Sequence, residues 1–476
     1  MSAIRKGGCF FGGWKEKGGI PVKDLTNGIF FVKLIYSLPI PTFFGINERI
    51  SMKALSGFKY FRLVLPVLAL AGLLWTTPFV SADEWPEEPV LFSEAAILMD
   101  ADTGQILYAK NINERMYPAS ITKVLTGYLA LRHAQLQTWV TMSETAYLQV
   151  PRTSSHIALL PEETFSMEDA LYALALVSAN DAATAIAETV SGTVENFAEL
   201  MNQQARAMGA TQSHFVNPNG MPDENHYTTA LDMARITAEA IKMPEFVEIF
   251  GSKSYTFAQT NRSPARELVS KNQFIDETWP MEGLLFSKTG WTSAAQGTLV
   301  TAVERNGVTL IAVTLKSPML EDKYTDTMAL INYGFDSFTP LVLEEADMEK
   351  RMAAHGMGGD YELDGYEPLR ILVPAGMGKN MVDIVIPGGF DGSTGVTVFP
   401  VTVGIACESG QWLPLRDTLV AVRQAKVEEA LSEQQSMTAA MIEKKSIPQW
   451  LWALPAVGIC LTIGIRKYGR EKSGGC

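Results

Sequence analysis

The chain has 476 residues, enough for two domains and separate terminal segments. A hydrophobic share of 47% with 19% charged residues excludes wholesale disorder. Its 39 basic against 52 acidic side chains argue against nucleic acid as a partner, because phosphate binding needs a basic face.

The charge is unevenly placed. Residues 1–82 hold 10 basic and 3 acidic side chains, and the remainder holds 29 basic against 49 acidic. An acidic body behind a basic, apolar leader is the pattern of an exported protein. Residues 1–51 contain an apolar stretch, Ile29 to Phe44, interrupted by Lys33, Pro39 and Pro41, which makes a poor membrane helix; they read as a gene-model extension ahead of a true start at Met52. Residues 52–82 read as a signal peptide. Lys53, Lys59 and Arg62 form the positive end, Leu63 to Leu74 the apolar centre, and Val80-Ser81-Ala82 the small residues of a cleavage site, so the mature chain is expected to begin near Asp83.

From Ala95 to Asn111 apolar and polar residues alternate around Asp102-Thr103-Gly104, the signal of a β-hairpin. Met167 to Val177, Ala182 to Val190, Val194 to Met208 and Thr229 to Ile241 carry apolar residues three and four apart, as amphipathic helices do. A second hairpin is predicted in Thr298 to Leu315, around Arg305-Asn306-Gly307. Strands at both ends of a helical region predict one α+β domain over residues 83–340, an antiparallel sheet flanked by helices whose edges come from distant sequence. Beyond it, Leu369 to Val373, Met381 to Ile386 and Gly395 to Gly404 are short β-type runs between glycine- and proline-rich turns, which predicts a small all-β domain over 341–418. A linker helix is expected over 419–448.

Trp450 to Ile465 is apolar apart from Pro455, Gly458, Thr462 and Gly464, and Arg466, Lys467, Arg470 and Lys472 follow. This predicts a transmembrane anchor over 449–466 with a cytoplasmic tail over 467–476 and the body outside the cell membrane. Four cysteines are too few for a disulfide scaffold; Cys9, Cys460 and Cys476 are terminal, and Cys407, alone in the body, reads as an inert buried thiol.

Three short motifs carry chemistry. Ser120-Ile121-Thr122-Lys123 follows Pro118, a residue suited to a helix start, and leads into the apolar run Val124 to Leu131. Residues i and i+3 of a helix share a face, so Ser120 and Lys123 would meet there. A serine needs a base to become a nucleophile, and lysine serves if it is neutral. Neutrality at pH 7 requires a fall of about 3 units from its ordinary value, or ~4 kcal/mol, which burial or a second cation must supply. The second motif is Ser178-Ala179-Asn180-Asp181, at a turn after an apolar helix. The third is Lys288-Thr289-Gly290-Trp291-Thr292, continuing the strand Leu284 to Ser287. Each has a decoy: Ser56-Gly57-Phe58-Lys59, Ser270-Lys271-Asn272 and Lys472-Ser473-Gly474. Order and context distinguish the triple.

In that order the sequence resembles the penicillin-recognising serine enzymes. More narrowly it is similar to the low-molecular-mass D-alanyl-D-alanine carboxypeptidases, through Ala96 to Gly104, Pro118-Ala119-Ser120, Ser178 to Ala182, and Phe215-Val216-Asn217-Pro218-Asn219-Gly220 with His226. The resemblance covers residues 86–338 and implies a β-lactamase/transpeptidase-like fold with a helical subdomain. It implies that Ser120 attacks the carbonyl between two D-alanines of a peptidoglycan stem peptide while Lys123 takes its proton. Ser178 and Lys288 would relay a proton to the departing amine, and Asn180 would hydrogen-bond the peptide. The N–H groups of Ser120 and Trp291 would form an oxyanion hole, Thr289 and Thr292 would help bind the terminal carboxylate beside Gly290 of the substrate-binding strand, and β-lactam antibiotics would acylate Ser120.

Many members place an arginine for the substrate carboxylate between the last strand and the last helix. Here stands Glu321-Asp322-Lys323, which leaves Lys323 for that task without the bidentate fork. No cofactor is implied, and five histidines without a His-Glu-x-x-His arrangement predict no metal site; His226 reads as a structural hydrogen-bonder. Two alternatives share the motifs: a class A-like β-lactamase, and an inactive β-lactam-binding or wall-binding scaffold. The first needs a glutamate in a Glu-x-x-x-Asn context, and Glu199 to Asn202 is one residue too tight.

Overall fold

The computed structural model describes residues 85–357, 361–386, 396–406 and 412–424. The predicted leader, the anchor, the tail and all four cysteines lie outside the described residues, as does the linker helix beyond residue 424.

Strands β1 (Ala95–Asp100) and β2 (Ile106–Lys110) form the first expected hairpin. A 3₁₀ turn, Ala119–Thr122, runs into α1 (Lys123–His133). The helical body continues with β3 (Trp139–Thr141), α2 (Glu144–Gln149), β4 (Thr164–Ser166), α3 (Met167–Leu176), α4 (Asn180–Ser191), α5 (Val194–Ala207), α6 (Ala230–Ala240) and α7 (Pro244–Phe250). Local chemistry sets several of these starts. Ser166 and Asp169 make a reciprocal capping box at α3, and the Thr193 and Thr229 hydroxyls accept from Asn196 N and Asp232 N at α5 and α6. After the small hairpin β5 (Ser254–Phe257) and β6 (Arg266–Val269), the chain returns to the sheet as β7 (Leu284–Thr292), β8 (Gln296–Arg305) and β9 (Val308–Ser317), and closes with α8 (Asp322–Ser337). At the β8–β9 turn Asn306 and Gly307 both have positive φ, +54° and +75°, the backbone an Asn-Gly hairpin loop requires.

The five strands order as β2-β1-β9-β8-β7, antiparallel throughout. Alternation along them decides the layering. Ile97, Met99, Val300, Ala302, Ile311 and Val313 pack with the helical body, and Leu98, Leu299, Val303 and Leu310 pack with Tyr324, Leu330 and Ile331 of α8. Each fully buried leucine or isoleucine contributes roughly 1.5–3 kcal/mol. Strand β7 is left as an edge, beside the Ala119–Thr122 turn.

Beyond α8 lie β10 (Phe338–Leu343), α9 (Glu345–Met352), β11 (Tyr361–Leu363), β12 (Leu369–Pro374), β13 (Val382–Val385), β14 (Val396–Ala406) and β15 (Trp412–Gln424). β10 pairs with β12, and the others order as β11-β15-β14-β13. Three expectations need correction. The boundary at 340 cuts through β10, and the region read as all-β contains α9, whose strongly charged sequence buries only Met348 and Met352. Leu419–Gln424 was assigned to the linker helix but is strand; Leu419 is exposed and Val420 and Val422 are buried, a two-residue period. Among the described residues no helix is long and apolar enough to cross a membrane.

A polar seam joins this region to the first hairpin. Arg370 Nη2 donates to Asp100 Oδ1 and Oδ2 at 2.8 and 2.9 Å and to Asp102 Oδ2 at 2.8 Å. The Gln105 amide donates to Leu372 O at 2.6 Å and accepts from Leu372 N at 2.8 Å.

Candidate active site

The three motifs converge where the Ala119–Thr122 turn meets the α3–α4 connection and edge strand β7. Ser120 lies in the turn, half-buried, and Lys123 opens α1 with its side chain fully buried. Lys123 Nζ is 3.0 Å from Ser120 Oγ, 2.7 Å from Asn180 Oδ1 and 2.6 Å from Asn219 O. A neutral amine has two N–H donors and one lone pair. Asn180 and Asn219 supply the two acceptors, so the lone pair is left to face the Ser120 hydroxyl. Burial holds the Lys123 pKa well below the ordinary lysine value; the charge of Lys288 adds to this and that of Asp181 opposes it. The shift runs in the direction that the serine–lysine spacing demands, and burial is its main cause.

Ser178 sits between α3 and α4 at φ +57°, an uncommon backbone for serine. Its Oγ accepts from Lys288 Nζ at 3.0 Å, and Lys288 also donates to Thr289 O at 3.1 Å. Lys288 is buried, and burial followed by the charge of Lys323 brings its pKa down to about 7. Lys323 lies in the first turn of α8 rather than in the connection before it; burial lowers its pKa to about 8. Its Nζ stands 5.3 Å from the Tyr324 ring centroid, and it has no hydrogen-bond acceptor among the described residues.

Strand β7 carries the remaining predicted groups. A Cβ on Gly290 would fall 2.8 Å from Ser120 N and 2.3 Å from Thr298 Oγ1, so glycine is what lets the strand lie against the serine turn. Thr298 Oγ1 in turn donates to Pro118 O at 2.9 Å, tying β8 to the same turn. The Trp291 side chain is exposed, and Thr289 and Thr292 are half-exposed. Thr292 Oγ1 accepts from Ala295 N at 3.0 Å, so this hydroxyl also closes the β7–β8 turn.

Motif reading missed several contributors. Asn219 acts through its backbone carbonyl, and Gly220, at φ +84°, faces Ala119 O so closely that a Cβ would lie 1.8 Å from it. Both lie in the Phe215–Gly220 segment, which carried family likeness but no assigned role. His226 is buried, Nδ1 accepting from Val216 N at 3.2 Å and Nε2 lying 2.9 Å from Thr122 Oγ1. Burial lowers its pKa to about 3, so it is a neutral strut between that segment and the serine turn. The decoy Ser270-Lys271-Asn272 is structural: Asn272 Nδ2 donates to Ser287 Oγ at 2.9 Å, behind Lys288.

Residues 83–319 match the D-alanyl-D-alanine carboxypeptidase family, peptidase family S11. The D-alanyl-D-alanine carboxypeptidase DacF of Bacillus subtilis is 30% identical over 300 residues, 61% of this chain and 75% of the relative. The chain belongs to that family. D-alanyl-D-alanine carboxypeptidase DacC of Escherichia coli is 30% identical over 316 residues, 63% of this chain and 76% of the relative. Penicillin binding protein 5 from Haemophilus influenzae superposes with a TM-score of 0.58 at 26% identity, covering 71% of this chain and 98% of that one. This peptidase is a serine-type D-Ala-D-Ala carboxypeptidase, with the mixed α+β fold of the penicillin-binding proteins.

Proposed function

We propose that Ser120 is the nucleophile and Lys123 its base, acting on the peptide bond between the two terminal D-alanines of a peptidoglycan stem peptide. The observation that carries this assignment is the buried Lys123 amine 3.0 Å from Ser120 Oγ, with its other two partners both acceptors. The hydroxyl proton passes to Lys123 Nζ as Oγ bonds the carbonyl carbon. The carbon–nitrogen bond then breaks, and the departing amine takes a proton from Lys288 through the Ser178 hydroxyl. Lys288, with a pKa of about 7, holds a proton it can give near neutral pH. Water then adds to the ester, giving its proton through the Ser178 hydroxyl to the now neutral Lys288, and Lys123 returns its proton to Ser120 Oγ as the ester carbon–oxygen bond breaks.

The substrate backbone adds to the edge of β7, which has no further strand beside it among the described residues. Trp291 N–H and Ser120 N–H receive the oxyanion, a device that contributes about 10²–10³ in rate per donor. Thr289, Thr292 and the Lys323 ammonium, which has no hydrogen-bond acceptor among the described residues, hold the terminal carboxylate. A β-lactam enters the same groove and leaves a slow ester on Ser120. The β-lactamase alternative has less support: Glu199 is exposed, and Asn202 is spent on Phe215, donating to its O and accepting from its N, each at 2.8 Å.

We also infer export and a C-terminal membrane anchor from the residue pattern alone. The strands after α8 would act as a spacer towards the wall. Incubation with a diacyl-D-Ala-D-Ala peptide, together with peptide mapping of the penicillin-labelled side chain, tests the assignment. Release of D-alanine and a label on Ser120 are expected; a label elsewhere overturns it.

A further inference from the structure

Asp181, the residue after Asn180, is nearly fully buried, and among the described residues its hydrogen-bond donors are backbone N–H groups. Its Oδ2 accepts from Ile157 N and Leu159 N, each at 3.1 Å, and Oδ1 accepts from Ala182 N at 3.0 Å and, less closely, from Ile157 N at 3.3 Å. One residue earlier, Asn180 N donates to Ser155 O at 2.8 Å. Two consecutive residues at the start of α4 thus grip the 155–159 loop at three points, while the Asn180 side chain grips Lys123. The loop runs through Ala158 at φ +60°, a backbone that alanine rarely adopts unless it is held.

We propose that Asp181 is a positioning residue for the acylation step: by fixing the 155–159 loop on the Ser178–Asn180 turn it holds the Asn180 side chain, and with it the Lys123 amine, in place. This rests on the roles given above to Ser120 and Lys123. The charges felt at the Lys123 amine are those of Lys288 from β7 and Asp181 from α4; the neutral His226, from the connection before α6, feels Lys123 in turn, and Lys288 feels Lys323. Asp181 is the only carboxylate in that set. Its charge favours the protonated amine, against burial and Lys288. Of the nearby titratable groups, the half-buried His156 ring takes part in bonds with Ala158 N and Arg152 O, and Arg152, ahead of the loop, lies over the Tyr147 ring.

A carboxylate in the first turn of a helix also has an ordinary structural explanation, complementing the helix dipole. The two accounts separate on the pH profile of acylation by a labelled penicillin. Asp181→Asn keeps the shape and removes the charge, so the acid limb is expected to move down by about 0.5 unit or more. The plateau rate should fall about 10-fold as the loop loosens. Asp181→Glu keeps the charge and displaces the carboxylate, so the plateau falls and the acid limb stays. An acid limb in Asp181→Asn identical to the parent, with a rate loss tracking a lowered Tm, overturns the proposal. Should Asp181→Asn not fold, amide exchange in the parent decides: Ile157 and Leu159 must exchange as slowly as the first turn of α4, and fast exchange there overturns it. Failure of the parent to acylate at Ser120 would instead strike the catalytic assignment.

Discussion

Two of the places where the described residues bury charge are treated in opposite ways. At the seam behind β1, buried Asp100 meets the Arg370 guanidinium through both oxygens at 2.8 and 2.9 Å, and Asp102 shares the same nitrogen. In the catalytic cleft Lys123 and Lys288 are buried against neutral acceptors, a serine hydroxyl, an amide and backbone carbonyls, while Lys323 has no acceptor among the described residues. A buried ion matched by an opposite charge resists removal of either partner. A buried amine given only neutral partners is pushed towards losing its proton. One region spends charge on holding two sheets together, and the other keeps amines poised for proton transfer.

Breaking each region in turn should therefore cost different things. Lys123→Met removes the proposed base and should reduce penicillin acylation and D-alanine release by about 10³–10⁴-fold, the range of a lost general base, while circular dichroism stays that of the parent. A residual rate within 10-fold of the parent would remove Lys123 from the chemistry. Arg370→Met should do the reverse, leaving acylation unchanged and destabilising the fold by about 3 kcal/mol in denaturant unfolding, because buried Asp100 loses its partner. The sign of its pH dependence is fixed. Burial already raises the Asp100 pKa above the unfolded value, an effect that Arg370 partly offsets. A carboxyl with a raised folded pKa binds more protons folded than unfolded, so its cost appears as pH rises above about 4. The Arg370→Met penalty should accordingly be larger at pH 7 than at pH 4, and equal penalties would show that the Asp100–Arg370 pair does not carry it.

The sequence made the cleft more legible than the seam, for a physical reason. Proton transfer needs particular side chains at helix and strand spacings, so the sequence points to Ser120, Lys123, Ser178, Asn180 and Lys288, which the fold brings together, and the hairpins closed by Asp102-Thr103-Gly104 and Arg305-Asn306-Gly307 were readable as well. What escaped acts through backbone or across long separations. The Asn219 carbonyl has no residue signature, and the work of Asp181 depends on a loop some twenty residues earlier. Arg370 and Asp100 are 270 residues apart, so nothing local marks them as a pair. In β15 the alternation of Leu419, Val420, Ala421 and Val422 was too brief to prevail over the helical reading of the polar residues that follow.

Lys323 offers the finest test of the comparison, because its ammonium has the burial of a structural charge without the partner. Its charge depresses Lys288, whose pKa stands at about 7. Lys323→Met removes that neighbour, so the Lys288 pKa should rise. The proposed relay needs Lys288 protonated, and the alkaline limb of acylation should therefore move to higher pH. With the ammonium gone, the Michaelis constant for a peptide ending in a free carboxylate should increase about 10-fold, the scale of one charge-assisted hydrogen bond. Lys323→Arg separates the two effects. It restores a cation that does not titrate below pH 12, so the Michaelis constant should stay flat through pH 8, where the parent, with Lys323 at about 8, begins to lose affinity. If neither the alkaline limb nor the Michaelis constant moves in Lys323→Met, the third lysine belongs with the structural charges, and the cleft works with two.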